Sequence, residues 1–312
     1  DMANDSGLFR TRDQLNAKGF ELVGNRFLKG EDVYLPLYEA KMMHQFDHRF
    51  GTYEDVQNRD KTHLPPTTTE QHIDKNFTVQ PWYWVPKSNV KTSLDRWKHD
   101  WMIGFRDVTN ATNERSAIFC LLPKVGAGHK IPLIFLEKAP NIAMVACFLS
   151  NVDSLFFDYV VRQKIGGTSL SYFILKQLPV IPPDRYTPEL LDFIVPRVVE
   201  LTYTAWDLLP FAEDVLKEVG EETWSRWFPE NPPDGEGKPA PFRWDEERRA
   251  ALRAELDGLY AHLYQLDREE LGQILDTFPI VKRKDEARYG EFRTKRLVLE
   301  AFDRLAPLGS QK

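Results

Sequence analysis

Cysteine is scarce in this chain, and an apolar run long enough to cross a bilayer is missing. Only Cys120 and Cys147 occur among 312 residues, each inside a short apolar run. That excludes a disulfide framework or a cysteine metal site, and fits two buried thiols in a reducing, cytoplasmic setting. The most apolar long stretch, 144–160, is broken by Asn151, Asp153 and Asp158, so no membrane span is expected. The opening Asp1-Met2-Ala3-Asn4 has no signal-peptide pattern and reads as the continuation of a longer protein.

An excess of positive charge is missing too. The chain carries 41 Lys and Arg against 47 Asp and Glu, a net charge of −6. The average hides a pattern, however. Residues 213–237 hold eight acidic side chains against Lys217 and Arg226, a local −6 that accounts for the whole excess. Residues 82–176 carry twelve Lys and Arg against seven acids, and 282–296 carry seven against three. Phosphate binding follows local cation density, so two regions remain competent for nucleic acid.

Catalytic signatures are equally thin. Gly126-Ala127-Gly128 lacks the third glycine and following helix of a nucleotide-binding turn, and reads as a hairpin turn. Asn231-Pro232-Pro233 resembles the base-holding loop of an amino-group methylase, but Asp234 stands where an aromatic would stack on the base. Asp32 with Glu39-Ala40-Lys41 imitates a metal-dependent nuclease arrangement at too short a spacing. His44 and His48 have the spacing of a zinc pair on a helix but no suitable third ligand. No catalytic, cofactor or metal residue is assigned.

What is present is an α+β organisation. The first 35 residues look like short strands or a connector. Leu37, Met42, Phe46 and Phe50 recur at roughly helical spacing, which predicts a short helix over 37–50. Residues 52–90 are loop-rich. Two apolar runs, 116–122 and 131–136, predict strands joined by the Gly126–Gly128 turn. Asn141 caps an expected helix to Gln163, Gly166-Gly167 breaks it, and 170–178 with Val180-Ile181 reads as strand before Pro182-Pro183. Thr187-Pro188-Glu189 is a strong helix start, and the rest is mainly helical: to about 216, then 244–264, 267–275 and 288–305. An acidic surface excursion, 220–243, interrupts it. These features divide the chain into a connector (1–35), a mixed α/β module (36–184) and a helical region (185–312).

Binding features outweigh catalytic ones. Residues 106–115 (Arg-Asp-Val-Thr-Asn-Ala-Thr-Asn-Glu-Arg) form a polar loop between apolar 101–105 and the strand near 117. Arg, Asn and Thr are the side chains that pair with base edges or reach phosphates. Residues 162–168 (Arg-Gln-Lys-Ile-Gly-Gly-Thr) offer flanking cations and two glycines that admit close backbone approach.

Four ordered motifs carry a resemblance. They are 36–50 (PLYEAKMMHQFDHRF), 106–115, 157–179 and the closing DTFPIV at 276–281 with Lys284-Asp285-Glu286 and Tyr289-Gly290. Together they resemble the C-terminal region of large bacterial adenine methylases, the type IIG restriction–modification proteins and DISARM-type phage-defence enzymes. The resemblance implies a DNA target-recognition domain over 36–184, similar to that of type I specificity subunits, followed by a helical spacer. It implies double-stranded DNA and an upstream methyltransferase domain as partners. S-adenosylmethionine would belong to that parent enzyme, with no cofactor in this fragment. The resemblance does not fix which side chains read bases; from the loops themselves Arg106, Asn110, Asn113 and Arg115, with Lys124, His129 and Lys130 of the 124–130 turn, are expected to reach the major groove. Thr109, Arg162, Lys164, Thr168 and Ser169 join them in contacting DNA, as does Lys41. His44, His48 and Arg49 contact DNA backbone or pack the entry helix against the catalytic domain. A protein-interaction module built on the acidic, aromatic 220–245 segment, and a nuclease fragment, are the alternatives. Salt dependence and metal-dependent cutting separate them.

Overall fold

Two glycines start the first sheet. Gly24 (φ 61°) and Gly30 (φ 58°) each lead a two-residue turn in the left-handed region that glycine enters without strain. They fold β1 (Glu21–Val23), β2 (Arg26–Lys29) and β3 (Asp32–Tyr38) into an antiparallel meander behind α1 (Arg12–Ala17). The computed structural model describes residues 4–59, 63–136 and 141–309, so the expected continuation at Asp1, Met2 and Ala3 lies outside the described residues. After α2 (Thr69–Ile73), β4 (Trp84–Pro86) pairs with the other edge of β3 and leads into α3 (Lys87–Ser93).

A second sheet has β5 (Trp101–Phe105) at its centre, flanked by β6 (Phe119–Pro123) and later by β8 (Leu133–Ile134). The two apolar runs expected as paired strands therefore pair with β5 and not with each other. The supposed hairpin turn is itself a strand: β7 (Gly126–Ala127) lies parallel to Leu37 and Tyr38 of β3 and ties the two sheets together. A side chain at Gly126 would stand 2.7 Å from Val85 Cγ2, so the approach of β7 requires glycine.

The expected helix over 37–50 does not form. Leu37 and Tyr38 finish β3, Ala40–Met42 make one 3₁₀ turn, and His44 and Asp47 exchange backbone hydrogen bonds around Phe46 at φ 56°. The apolar spacing there reflects burial of Met42, Met43 and Phe46 in a loop wedged between sheets and helices, not one face of a helix.

Asn141 does cap the next helix, accepting from the Met144 amide, but the single helix expected to Gln163 is two: α4 (Ile142–Val152) and α5 (Leu155–Lys164), bent by 60°. The break is fixed from outside, because Asp153 Oδ1 accepts the Phe119 amide of β6 at 2.9 Å. The strand expected over 170–178 is a short helix, α6 (Tyr172–Leu175), whose first turn is capped by Ser171.

The C-terminal half is helical as expected. Thr187 Oγ1 accepts the Leu190 amide at the start of α7 (Pro188–Thr202). α8 (Leu209–Trp227) runs further than expected, into the acidic segment, kinking at Gly220 (φ 81°). It is followed by α9 (Glu246–Leu263), α10 (Arg268–Asp276), the unforeseen α11 (Pro279–Tyr289) and α12 (Arg293–Gly309). The largest core cluster joins Phe105, Phe119 and Phe157 to Val195, Phe211, Trp224 and Tyr260, so sheet and helices share one apolar interior. Cys120 and Cys147 are free thiols within the core. Among the described residues no single helix is long and apolar enough to cross a membrane.

Candidate nucleic-acid interface

The polar loop 106–115 leaves β5 at Phe105 and is built by its own short side chains. Asn110 Oδ1 accepts the Thr112 amide at 2.9 Å, an Asx turn, while Thr109 Oγ1 donates to Ser116 O and Ser116 Oγ donates to Asn110 O, both at 2.8 Å. Two further segments converge on it. The Asp107 amide donates to Lys130 O, the Thr109 amide to Thr168 O and the Leu170 amide to Asp107 O. Asp107 sits at the junction, accepting from Lys130 Nζ at 2.9 Å and from Ser169 Oγ. Burial would raise its carboxyl; the Ser169 hydrogen bond and Lys130 hold it below its ordinary value. The structure thus brings together the 106–115 loop, the Lys130 end of the 124–130 turn and the end of the 162–168 segment with Ser169 and Leu170 beyond it.

Several side chains expected to meet DNA are instead spent inside the protein. Arg49 is wholly buried, and its guanidinium donates to the carbonyls of Gln71, His72, Asp74, Phe77 and Thr204. His48 is buried against Asp207 at 2.8 Å. Arg115 pairs with fully buried Asp158 at 2.7 Å and donates to Asp153 O. Arg162 pairs with the same carboxylate and clamps the loop through Asn113 O and Glu114 O. Thr109 is buried by the bond already given, and Arg106 is turned onto Met43 O, over the Phe50 ring. His44 also packs on Phe50, at 4.8 Å. Thr109, Arg115 and Arg162 thus shape the loop instead of projecting from it, while His48 and Arg49 tie the 44–50 segment to 71–77 and to 204–207.

The side chains left facing outward are Asn113, His129, Lys130, Lys164 and Thr168, with Lys41, Asn110 and Ser169 half-buried. Lys124 is set apart from them. The β5–β6 register puts Trp101 opposite Pro123 and Phe105 opposite Phe119, so Lys124 lies at the far end of the sheet from the loop. There it donates to Trp97 O.

Three clefts lie side by side along this face. The first, about 710 Å³, is bordered by Lys41, Arg106, Val108 and the 126–130 turn. The middle one, about 350 Å³, shares Arg106 and Val108 with it and adds Thr112, Asn113 and Arg115. A third, about 440 Å³, shares His44, Glu114 and Arg115 with the middle one and reaches Arg249 and Arg253 of α9, Lys284 of α11 and Arg293 of α12. The shared residues line them up as one trough; the C-terminal helices border its third cleft, reach the middle one only at Ile280 and do not border the first.

Arg249 and Arg253 were missed in the sequence, although their spacing of four along α9 places them on one helix face. Arg249 lies with its guanidinium 3.6 Å from the Trp244 ring centre and donates to Phe46 O; Arg253 donates to Gln45 Oε1. Burial pushes Arg106 and Arg249 down to about 10, which leaves both charged at neutral pH. His44 is held well below its ordinary value, by burial first and then by the charges of Arg106 and Arg253. Arginines therefore stand along the trough beside a neutral imidazole, with the carboxylates Asp47, Glu114, Glu246, Asp257 and Asp285 among them in the third cleft.

Asp47 anchors this lining. Burial alone would raise its carboxyl, but the hydrogen bond and charge of His72, with the charge of Arg249, bring it down to about 2 from 3.8. A depressed carboxylate contributes stability above its unfolded value and loses it as pH falls through the folded one. Asp47→Asn is expected to cost about 2 kcal/mol at neutral pH, with the gap from the parent protein closing between about pH 4 and pH 2. Denaturant unfolding across that range checks it, and a gap independent of pH refutes it.

Other motifs resolve simply. Asp32 and Glu39 stand at opposite ends of β3, separated by about 20 Å of extended chain, too far to share one metal ion. Asn231 locks a turn, donating to Ala240 O and accepting Trp224 Nε1 at its carbonyl. Trp224, Phe228 and Trp244 are buried, so the acidic segment does not display them to a protein partner. Among the described residues no group of three or more His, Cys, Asp or Glu is placed to hold a metal ion. Compared with protein-family models, with curated proteins and with solved structures, the chain matches none.

Proposed function

We propose that this chain reads a double-stranded DNA target for an adenine methyltransferase of restriction–modification or phage-defence type. One observation carries the reading: a trough lined by Arg106, Arg249 and Arg253 runs along the 106–115 loop, whose Thr112 and Asn113 line its middle cleft. In this reading Lys41, Lys130, Lys164, Lys284 and Arg293 meet phosphates and set the register. In the same reading Asn113, Asn110, His129 and Thr168 reach base edges. Methyl transfer belongs to an upstream methyltransferase domain that binds S-adenosylmethionine, and the two buried free thiols suit work in the cytoplasm. The resemblance suggests the methylase; the polar loop beside an arginine-lined trough, with exposed Lys130 and Lys164 near it, supports DNA.

Duplex binding followed by fluorescence anisotropy tests this. With about five phosphate contacts, affinity falls roughly 10²- to 10³-fold between 50 and 200 mM salt. Replacing Lys130 and Lys164 with Glu lowers both affinity and the slope. A flat salt response, or a double variant that binds like the parent, overturns the proposal.

A further inference from the structure

The first cleft of the trough differs chemically from the other two. Its walls are apolar, made by Leu37, Val85, Val90, Leu94, Val125 and Leu133. On one side stand two aromatic rings, Phe9 and Tyr83, 5.7 Å apart and tilted by 36°. Cations gather on the rim: Lys41, Arg59, Arg106 and Lys130, with exposed His129 among them. Arg59 is steadied by Glu39 at 3.1 Å and stands 5.2 Å from the Tyr83 ring centre. Arg106, largely buried where this cleft meets the next, has no carboxylate partner among the described residues; its Nε and Nη2 both rest on Met43 O. The charge of Asp47 reaches Arg106 but no carboxylate among the described residues touches it, so its guanidinium keeps donors for an incoming anion, while Asp5 and Glu39 stand elsewhere on the lining.

A duplex, about 20 Å across, cannot enter a space of about 710 Å³, but a drug-sized ligand fills one of that scale. The ligand must be flat and apolar at one end and anionic at the other. An unpaired nucleotide has that division, and every base offers a π-face to aromatic and guanidinium planes. Resting on the DNA reading of the same trough, we propose that this cleft takes a nucleotide displaced from the duplex. Its base lies between the aliphatic wall and the Phe9–Tyr83 pair, and its phosphate lies among Lys41, Arg106 and Lys130. The protein then distinguishes its target partly by the ease with which one base leaves the stack, since unpairing costs a few kcal/mol least at weak steps.

The test uses the full chain and an oligothymidylate of about six nucleotides carrying one 5-iodouracil. Asn89 and Ser93 are exposed positions of α3 that border the cleft, so Asn89→Trp and Ser93→Trp fill it without touching the core. Irradiation is expected to crosslink the iodouracil to Tyr83 or Phe9, and each Trp variant to weaken single-strand binding about tenfold or more. Thermal unfolding verifies that the variants fold. Duplex affinity of the parent protein is measured alongside. If the duplex binds with its salt dependence while the single strand neither crosslinks at Phe9 or Tyr83 nor responds to the variants, the cleft proposal fails and the DNA reading stands. If neither nucleic acid binds, both fail. Saturable binding of a medium-chain fatty carboxylate that the Trp variants abolish, with no competition by the oligothymidylate, assigns the cleft to another amphiphile and overturns the proposal.

Discussion

Replacing Asp158 by alanine is expected to destabilise the protein by about 3–5 kcal/mol, because one buried carboxylate neutralises two guanidinium groups. Arg115 Nε lies 2.7 Å from it and Arg162 Nε 3.1 Å, and the Ser116 amide donates to both of its oxygens. Its removal leaves two buried charges and an amide without an acceptor. The damage reaches the 106–115 loop directly, since Arg162 also holds the carbonyls of Asn113 and Glu114 at 2.8 Å. Denaturant unfolding gives the magnitude, and hydrogen exchange in 109–116 is expected to accelerate more than in α7. Asp158→Asn keeps an acceptor for Ser116 and is expected to lose less. If both variants stay within about 1 kcal/mol of the parent, the carboxylate is not the keystone described here.

Arg49→Met is expected to be comparably severe, at about 3–5 kcal/mol. The Arg49 side chain gathers five carbonyls, four from 71–77 and one from Thr204 in the helical half. A thioether fills the volume but donates nothing, so the carbonyls stay desolvated and unpaired. Lysine does not rescue it, because a compact ammonium cannot replace a planar fork reaching in several directions at once. Limited proteolysis is expected to nick the variant within 68–78 under conditions that leave the parent whole. Equal resistance and an unchanged unfolding midpoint refute this.

Local capping chemistry made parts of the fold legible from sequence. Thr187-Pro188-Glu189 and Asn141 announced α7 and α4 because a cap is a short-range hydrogen bond that needs no tertiary partner. The loop over 37–50 was misread because its buried polar residues draw their partners from far away: Asp47 from His72, His48 from Asp207, Arg49 from Thr204. Apolar spacing cannot distinguish a helix face from such a loop. The same limit applies to the site. The Arg106–Arg115 loop was visible as a polar run, but whether an arginine faces water or a buried aspartate depends on Asp158, on another element. The helical side of the third cleft went unseen because charged residues on a long helix ordinarily mark a solvated face, and only packing reveals that Arg249 and Arg253 turn inward.

The two sides of the third cleft also set an order of events. Arg249 reaches Phe46 O across 203 residues of chain, and Arg253 reaches Gln45 across 208. Contacts at such separation bear the loop-closure cost of nearly the whole molecule and form after local helices and hairpins have condensed. In refolding, closure of the trough, followed by the fluorescence of Trp244 beside Arg249, is therefore expected to lag the return of helical signal. A ribosome must release the chain into α12 before the trough is complete, so a nascent chain carries the 106–115 loop with nothing to close over it.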